Sequence, residues 1–205
     1  ADAKGVFQTF ANRDLRQLRK LSLYIHAEES SKAANSSQAK DLTAVVRLGT
    51  DFVNNYYEIR IPLIKTPLDV NLNPDTDAYN DTLWNPTNSL ELDLDALTKM
   101  KQQRNLSSSP LNQVYRQLQS NGQVYSVVGN PNLGEVRGIL LGVENTKASN
   151  ACGQIWVNEL RLSSIDEQGG WAALGRVDLT LADLGTLSVS ANTHSKGFGT
   201  LEQRA

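Results

Sequence analysis

Three acidic side chains lie close together in a polar part of the chain. Asp75, Asp77 and Asp81 have the spacing with which a calcium-binding loop begins, and carboxylate oxygens are ligands that Ca²⁺ prefers. The sixth position of such a loop needs Gly and the twelfth needs Glu, but this chain has Asn80 and Pro86 there. The pattern excludes an EF-hand, and it favours a hydrated surface loop over an irregular calcium site.

The chain contains two histidines, His26 and His194, and one cysteine, Cys152. Neither histidine stands at a metal-ligand spacing, and a single cysteine can form no disulfide within the chain. The sequence has no Gly-rich phosphate loop, nucleophile elbow or paired-histidine zinc motif. We therefore predict no catalytic residue, no cofactor and no metal, and we expect that the protein is not an enzyme.

Aromatic residues suggest a different chemistry, the stacking of sugar rings. The candidates for such a platform are Trp84, Trp156, Trp171, Tyr24, Tyr56 and Tyr57. Aromatic residues interleaved in strands more often belong to a core. A carbohydrate-binding module of jelly-roll shape is therefore the alternative to a structural role.

A glycan-degrading enzyme is a further alternative. It needs two carboxyl groups that face one cleft at about 5–10 Å from each other. Glu58, Glu144 and Glu159 are weak candidates, because only their place on predicted strands favours them.

The charge balance argues against a nucleic-acid binder. The net charge is -2 and the isoelectric point is near 5.7, whereas phosphate binding needs clustered Lys and Arg. The basic stretch 13–20 also carries Asp14 and predicts a solvated helix or loop. No apolar run reaches the roughly 20 residues of a membrane helix. Because the chain starts at Ala1 and not at Met, we expect a piece of a longer protein.

The elements that would position these residues are mainly strands. Alternation of apolar and polar residues, typical of half-buried strands, predicts strands at 21–27, 42–48, 56–61, 123–128, 137–144 and 153–162. The polar run 28–40 predicts a loop, and the Pro-rich and Asn-rich stretch 66–89 predicts an excursion with turns. Residues 93–104 predict a short amphipathic helix capped by Asp93 or Asp95, and residues 111–118 suggest another helical turn. The fold predicted for residues 1–165 is an antiparallel, jelly-roll-like β-sandwich with one or two short helices.

The composition changes after about Ile165. Small apolar residues alternate with polar ones at 173–182 and again at 187–192, with a turn at 183–185 between them. This pattern predicts a β-hairpin for residues 166–205. Alternation over about 10 residues is typical of transmembrane barrel strands, and a solvated hairpin packed on the sandwich explains it equally well.

Seven blocks of the sequence resemble, in order, the SprA/Sov family of outer-membrane translocon proteins of Bacteroidetes. They are residues 14–28, 42–62, 84–86, 128–134, 152–161, 169–173 and 197–204. The resemblance implies a very large outer-membrane barrel that exports folded cargo in type IX secretion and supports gliding motility in some relatives. It implies that residues 1–165 form a sandwich inserted between barrel strands, and that residues 166–205 belong to the barrel.

The same resemblance implies partners and a location. The expected partners are the remainder of the barrel, a PorV-like protein, a periplasmic plug protein and exported cargo. We expect a structural or docking role in the outer membrane. Because long loops of bacterial barrels are extracellular, the sandwich is expected to face the outside of the cell.

Overall fold

The computed structural model describes residues 3–29, 41–67, 70–146, 153–165 and 171–194. The chain divides into two compact units, Ala1–Ile165 and Asp166–Ala205. The strands of the first unit are β1 (Ala3–Arg13), β2 (Leu18–Glu29), β3 (Leu42–Gly49), β4 (Tyr56–Pro62), β5 (Leu90–Asp93), β6 (Tyr115–Leu118), β7 (Val124–Val128), β8 (Val136–Asn145) and β9 (Gly153–Ile165), and its helices are α1 (Asp77–Leu83) and α2 (Leu94–Leu106). The second unit contains β10 (Ala172–Leu181) and β11 (Gly185–His194).

A six-stranded antiparallel sheet has the order β1-β8-β3-β4-β7-β6. Alternate residues of its central strands point into the core, such as Val46 and Leu48 on β3 and Ile59 on β4, and each is buried. On the opposite face, Arg47 of β3 lies beside Glu58 of β4 in the strand register. The apolar and polar alternation of these strands therefore places one face inside and one outside.

A three-stranded antiparallel sheet, ordered β5-β2-β9, packs against the first. Its central strand buries Leu21, Leu23 and Ile25, whose exposed fractions are 1%, 1% and 2%. These residues belong to one hydrophobic core with residues of β3, β4, β7 and β8. The predicted fold class is confirmed: the protein is mainly β, antiparallel and sandwich-like, with two short α-helices among the described residues. The jelly-roll connectivity stays a prediction.

Helix α2 begins directly after β5. The carboxylate of Asp93 accepts a hydrogen bond of 3.0 Å from the Asp95 N–H, so Asp93, one of the two N-cap residues considered from the sequence, caps the helix. Leu94, Leu97 and Met100 are buried on one face of the helix. The helix therefore contributes a third apolar surface to the core, beside β2, β5 and β7.

The sequence patterns missed three strands and misassigned one segment. Strands β1, β5 and β6 were not predicted, and residues 115–118, for which helix was suggested, form β6. The helix prediction was wrong because Gly122, with a φ of 82°, turns the chain so that β6 pairs with β7. Helix α1 lies within the stretch predicted as an excursion. Glu28 and Glu29 extend β2, and the rest of the predicted loop 30–40 lies outside the described residues.

The predicted hairpin of the second unit is also present. Strands β10 and β11 are antiparallel, and a 3₁₀ turn at Ala182–Leu184 joins them. Val177 lies opposite Val189, and Leu179 lies opposite Leu187, so the apolar residues share one face. Among the residues that the structure describes, no helix has both the length and the apolar character needed to span a membrane.

Candidate functional site

An apolar cleft opens between the two sheets on one side of the sandwich. Its volume is about 670 Å³, and its apolar lining includes Val6 of β1, Leu141 and Val143 of β8, and Ile155 and Val157 of β9. Several of these side chains stay in contact with solvent; Val6 is 70% exposed and Val157 is 45% exposed. The core is therefore incompletely covered where β1 and β8 face β9.

The two strands that border this cleft are also the longest edges of the sandwich. In the described residues, β1 and β9 span 11 and 13 residues, and each pairs with a neighbour on one side only. The opposite edges, β5 and β6, have four residues each and carry exposed charges such as Glu91 and Arg116. Short, charged edge strands resist pairing with other chains, and long strands with an uncharged stretch invite it. Residues 153–158 of β9 contain no charged residue.

The structure does not assemble the predicted aromatic platform. Tyr56 and Tyr57 are only 8% and 2% exposed, so they are parts of the packed sandwich. Trp171 belongs to the second unit. Trp156 is 57% exposed and lies opposite His26 in the register of β9 and β2. Tyr24 and Trp84 line a common cavity next to β5, and Tyr56, Tyr57, Trp156 and Trp171 are not among the residues that line it.

His26 is a structural residue on the outer face of β2. Its Nδ1 is 2.5 Å from the Leu83 carbonyl oxygen and 3.2 Å from the Thr66 hydroxyl, and its Nε2 is 3.4 Å from a Glu28 carboxylate oxygen. The ring centroid lies 5.9 Å from that of Trp84. These contacts fix the end of α1 against the sheet.

The three glutamates considered for glycan hydrolysis each contact arginine. Glu58 accepts from Arg47 at 2.6 Å and from Arg60 at 3.4 Å, and Glu144 accepts from the same Arg60. Burial lowers the pKa of Arg60, but Glu144 and Glu58 outweigh it and raise that pKa above its usual value. Glu58 and Glu144 thus belong to a chain of ion pairs on the outer face of the six-stranded sheet.

Glu159 is separate from that chain of ion pairs. It contacts Arg161 at 3.0 Å on β9. Its φ of 56° marks a bulge at which the pairing of β9 with β2 shifts register.

The remaining candidates stay apart or lie outside the described residues. Asp77 and Asp81 are on α1 and Asp75 precedes it. No group of three or more acidic, His or Cys side chains in the described ranges is arranged to hold a metal ion. Cys152 and the side chain of His194 fall outside the described part of the chain.

Sequence reasoning missed a buried polar cluster around a turn. Arg104 is fully buried and donates from Nη1 to the Gly129 carbonyl at 2.5 Å. Lys101 donates to the Pro131 carbonyl at 2.8 Å, and burial together with Arg104 lowers its pKa. Burial raises the pKa of Tyr57, which contacts the same carbonyl, to about 12. The spacing of Arg104 from Leu97 by two helical turns was the signal that placed it on the buried face.

Comparison with known proteins now gives the family. The family described as "Motility related/secretion protein" (SprA_N) matches residues 1–205. No curated protein matches the chain significantly. Because the family match extends over the whole chain, the SprA/Sov resemblance is confirmed and the role of the chain is related to motility or secretion. The chain belongs to the SprA_N family of motility-related and secretion proteins.

Proposed function

We propose that this chain is a structural and docking part of the outer-membrane translocon of type IX secretion. It helps proteins to cross the outer membrane and serves gliding motility in relatives. In this role the chain catalyses no reaction and binds no nucleic acid. The family match supports the secretion role, and two surfaces of the structure support the translocon assignment.

The hairpin of the second unit carries the proposal. Every side chain that the structure describes in β10 and β11 is exposed, including Val177 and Val189 at 55% each and Leu187 at 50%. The opposite face is polar, with Arg176 and Asp178 paired at 2.9 Å. A lone hairpin is marginally stable in water. One apolar and one polar face is the arrangement that a barrel strand needs between lipid and lumen, so the neighbours of this hairpin are strands of the translocon barrel.

The open side of the sandwich supports the same conclusion. Strands β1 and β9 leave hydrogen-bonding groups unpaired along their outer edges in the described ranges. The cleft between them leaves apolar side chains in water. Further strands of the translocon that continue these two edges would satisfy the backbone groups and cover the cleft.

We propose the location and the partners from the family resemblance and from the general rule that the long loops of bacterial barrels are extracellular. The chain lies in the outer membrane, with its sandwich facing the outside of the cell. There the sandwich would meet cargo and a PorV-like partner, while a plug protein closes the barrel from the periplasm. An impermeant thiol reagent on intact cells tests the location, with a cysteine introduced at Leu106, which is 85% exposed on the sandwich, in a Cys152→Ser background that removes the native thiol of this chain. Labelling only after the outer membrane is permeabilised would place the sandwich inside and refute this part of the proposal.

The barrel assignment is tested by placing one charge on either face of the hairpin in the full-length parent protein. Val177→Lys puts a charge on the apolar face, where burial in lipid costs about 2–4 kcal/mol at mid-depth. Ser190→Lys puts the same charge on the polar face, beside Arg176 in the register. We expect Val177→Lys to reduce both the translocon in the outer membrane and the secreted cargo, and Ser190→Lys to leave both near the wild-type level. Equal behaviour of the two variants would contradict a lipid-facing hairpin.

A further inference from the structure

A second cavity lies on the outer face of the three-stranded sheet, separate from the cleft between the sheets. Its volume is about 470 Å³, within the range of small-molecule sites, about 300–1,000 Å³. Four parts of the first unit line it: β2, the segment from α1 to the 3₁₀ turn at Pro86–Asn88, β5, and the turn between β6 and β7. We propose that this cavity binds a neutral saccharide of one or two rings, a function beyond the structural role.

Two aromatic side chains provide an apolar wall. Tyr24 of β2 is 42% exposed although its neighbours Leu23 and Ile25 are buried. Trp84 is partly buried, and its backbone N–H donates to the Asn80 carbonyl at 2.8 Å. Aromatic rings that keep one surface open offer a face on which the C–H groups of a sugar ring can stack. Nothing in the sheet itself requires an aromatic residue at position 24, because that position faces outward.

Hydrogen-bonding side chains lie around these rings. Asp81 and Glu91 line the cavity, and neither carboxylate has a hydrogen bond or ion pair with any other described residue. Asn121 uses its Oδ1 to accept from the Gln123 N–H at 3.0 Å, which leaves its amide NH₂ group as a donor. Ser89 adds a hydroxyl. The cavity therefore offers acceptors and donors together, as the hydroxyl groups of a sugar require.

The walls are held in place before any ligand arrives. Asn88 accepts from the Ile64 N–H at 2.7 Å and donates to the Ile64 carbonyl at 2.8 Å. Gln123 donates to the Ser89 carbonyl at 3.0 Å and so ties the β6–β7 turn to the segment before β5. His26 fixes the end of α1 through the Leu83 carbonyl. A preformed site loses less conformational entropy on binding than one that must order itself.

The lining also selects the chemical class of the ligand. It contains two carboxylates and no cationic side chain, which disfavours phosphates, carboxylates and nucleotides. A cationic ligand could use the carboxylates and the rings, but it has no use for the amide donor of Asn121 or for the Ser89 hydroxyl as a donor. A neutral sugar uses all of these groups.

Ligand-observed NMR on the full 205-residue chain tests the proposal. The probes are maltose, cellobiose, lactose, mannobiose and chitobiose, together with Nα-acetyl-lysine methylamide, whose side-chain ammonium group makes it a cationic probe. We expect at least one disaccharide to bind. We also expect Tyr24→Ala and Glu91→Gln each to weaken that binding by about tenfold or more. Trp156→Ala is the matched control, because Trp156 is an exposed aromatic on the same sheet outside this cavity.

Three results would overturn the proposal. The first is that no disaccharide binds at millimolar concentration to wild-type chain whose circular dichroism shows a folded β protein. The second is that a disaccharide binds but Trp156→Ala weakens binding as much as Tyr24→Ala does, which places the sugar elsewhere. The third is that only the cationic probe binds and that Glu91→Gln abolishes this binding, which makes the cavity a cation site. None of these results bears on the hairpin test above.

Discussion

The two sides of the sandwich differ in how well the core is covered and in the length of their edge strands. On the side formed by β4, β5, β6, β7 and α2, here called the closed side, the helix covers the core and the outermost strands, β5 and β6, are short and charged. On the side formed by β1, β8 and β9, here called the open side, the strands are long and apolar residues such as Val6 and Val157 reach solvent. Both sides are built from the same two sheets.

Because of this difference, we expect the closed side to stabilise the fold and the open side to pair with other strands. The closed side contains many of the most deeply buried residues, including Leu97, Ile59 and Ile61 at 0% exposure, so it should account for a large share of the folding free energy. The open side has more side chains in contact with solvent, contributes less to that energy and presents unpaired backbone to other strands. A single domain can thus be stable on one side and incomplete on the other.

The largest effect should come from the same truncation made on the two sides. Leu97→Ala on α2 leaves a cavity in the closed side and is expected to cost about 2–5 kcal/mol. Leu160→Ala on β9 removes a side chain that is already 40% exposed, and it should cost less than about 1 kcal/mol. Urea unfolding followed by circular dichroism measures both. Similar costs for the two variants would contradict the division between the sides.

Two turn glycines come next. Gly129 has a φ of 67°, and a Cβ there would lie 1.8 Å from the Asn54 carbonyl oxygen, whereas Gly122 has a φ of 82° and open space around it. Gly122→Ala should cost about 1–2 kcal/mol for the left-handed backbone alone. Gly129→Ala should cost at least about 1 kcal/mol more, because the Asn54 loop must also move. The same unfolding assay compares the two variants. Equal losses of folding free energy would show that the loop at Asn54 can move away from position 129 without cost.

A smaller, pH-dependent effect is expected at Asp51, in the turn between β3 and β4. Burial tends to raise the pKa of this carboxyl, but hydrogen bonds from the backbone of Asn54, Val53 and Asn55 and from the Asn55 side chain outweigh it and lower the pKa to about 2. The unfolded value is about 3.9. The stabilisation is therefore complete above about pH 4 and is lost as the pH falls through about 2.

Asp51→Asn isolates that contribution. The free energy of unfolding of the wild type should fall more steeply between about pH 4 and pH 2 than that of Asp51→Asn. Asp51→Ala should cost about 1–2 kcal/mol at neutral pH, since the backbone donors of the turn lose their acceptor. Parallel slopes in acid would show that the carboxylate is not needed in the turn.

The smallest change in folding free energy, below about 1 kcal/mol, is expected from lysines placed on edge strands. Val157→Lys puts an inward-pointing charge on the β9 edge of the open side, and Leu118→Lys puts a charge on the short β6 edge, where the side chain is 75% exposed. Val157→Lys should reduce self-association of the chain, because charges on an edge oppose strand pairing. Leu118→Lys should leave it unchanged. Sedimentation velocity measures the self-association of both variants. If Leu118→Lys reduced self-association and Val157→Lys did not, the edge that pairs with other chains would belong to the closed side.

Sequence reasoning recovered the elements with strong alternation and missed those without it. Strands β3 and β4 were predicted within a residue of their observed ends, because their apolar residues alternate and Pro62 ends the second strand. Strand β1 was not predicted because every described side chain on it except Phe10 is exposed. A strand without a buried face does not need the alternation of apolar and polar residues on which the prediction depends. Strand β5 has four residues and merges with the helix that follows.

The candidate site shows a similar limit. The sequence named Tyr24 and Trp84 among six aromatic candidates, but only the fold shows that these two meet Asp81 and Glu91 around one cavity. Residues so far apart in sequence are brought together by strand pairing and by the position of α1. The apolar cleft was not predicted at all, since periodicity indicates which side of a strand is apolar and does not indicate whether that side is covered.

The bulge at Glu159 divides β9 into two parts, in which residues of opposite parity face the core. Before it, odd-numbered residues face the core, as Ile155 opposite Ala27 and Val157 opposite Ile25; after it, an even-numbered residue does so, as Leu162 opposite Leu21. One inserted or deleted residue on either side of Glu159 would move each side chain between that position and the next turn to the opposite face of the sheet. The length of this strand is therefore as strictly constrained as its composition, and loss of one residue here should damage the fold more than many substitutions.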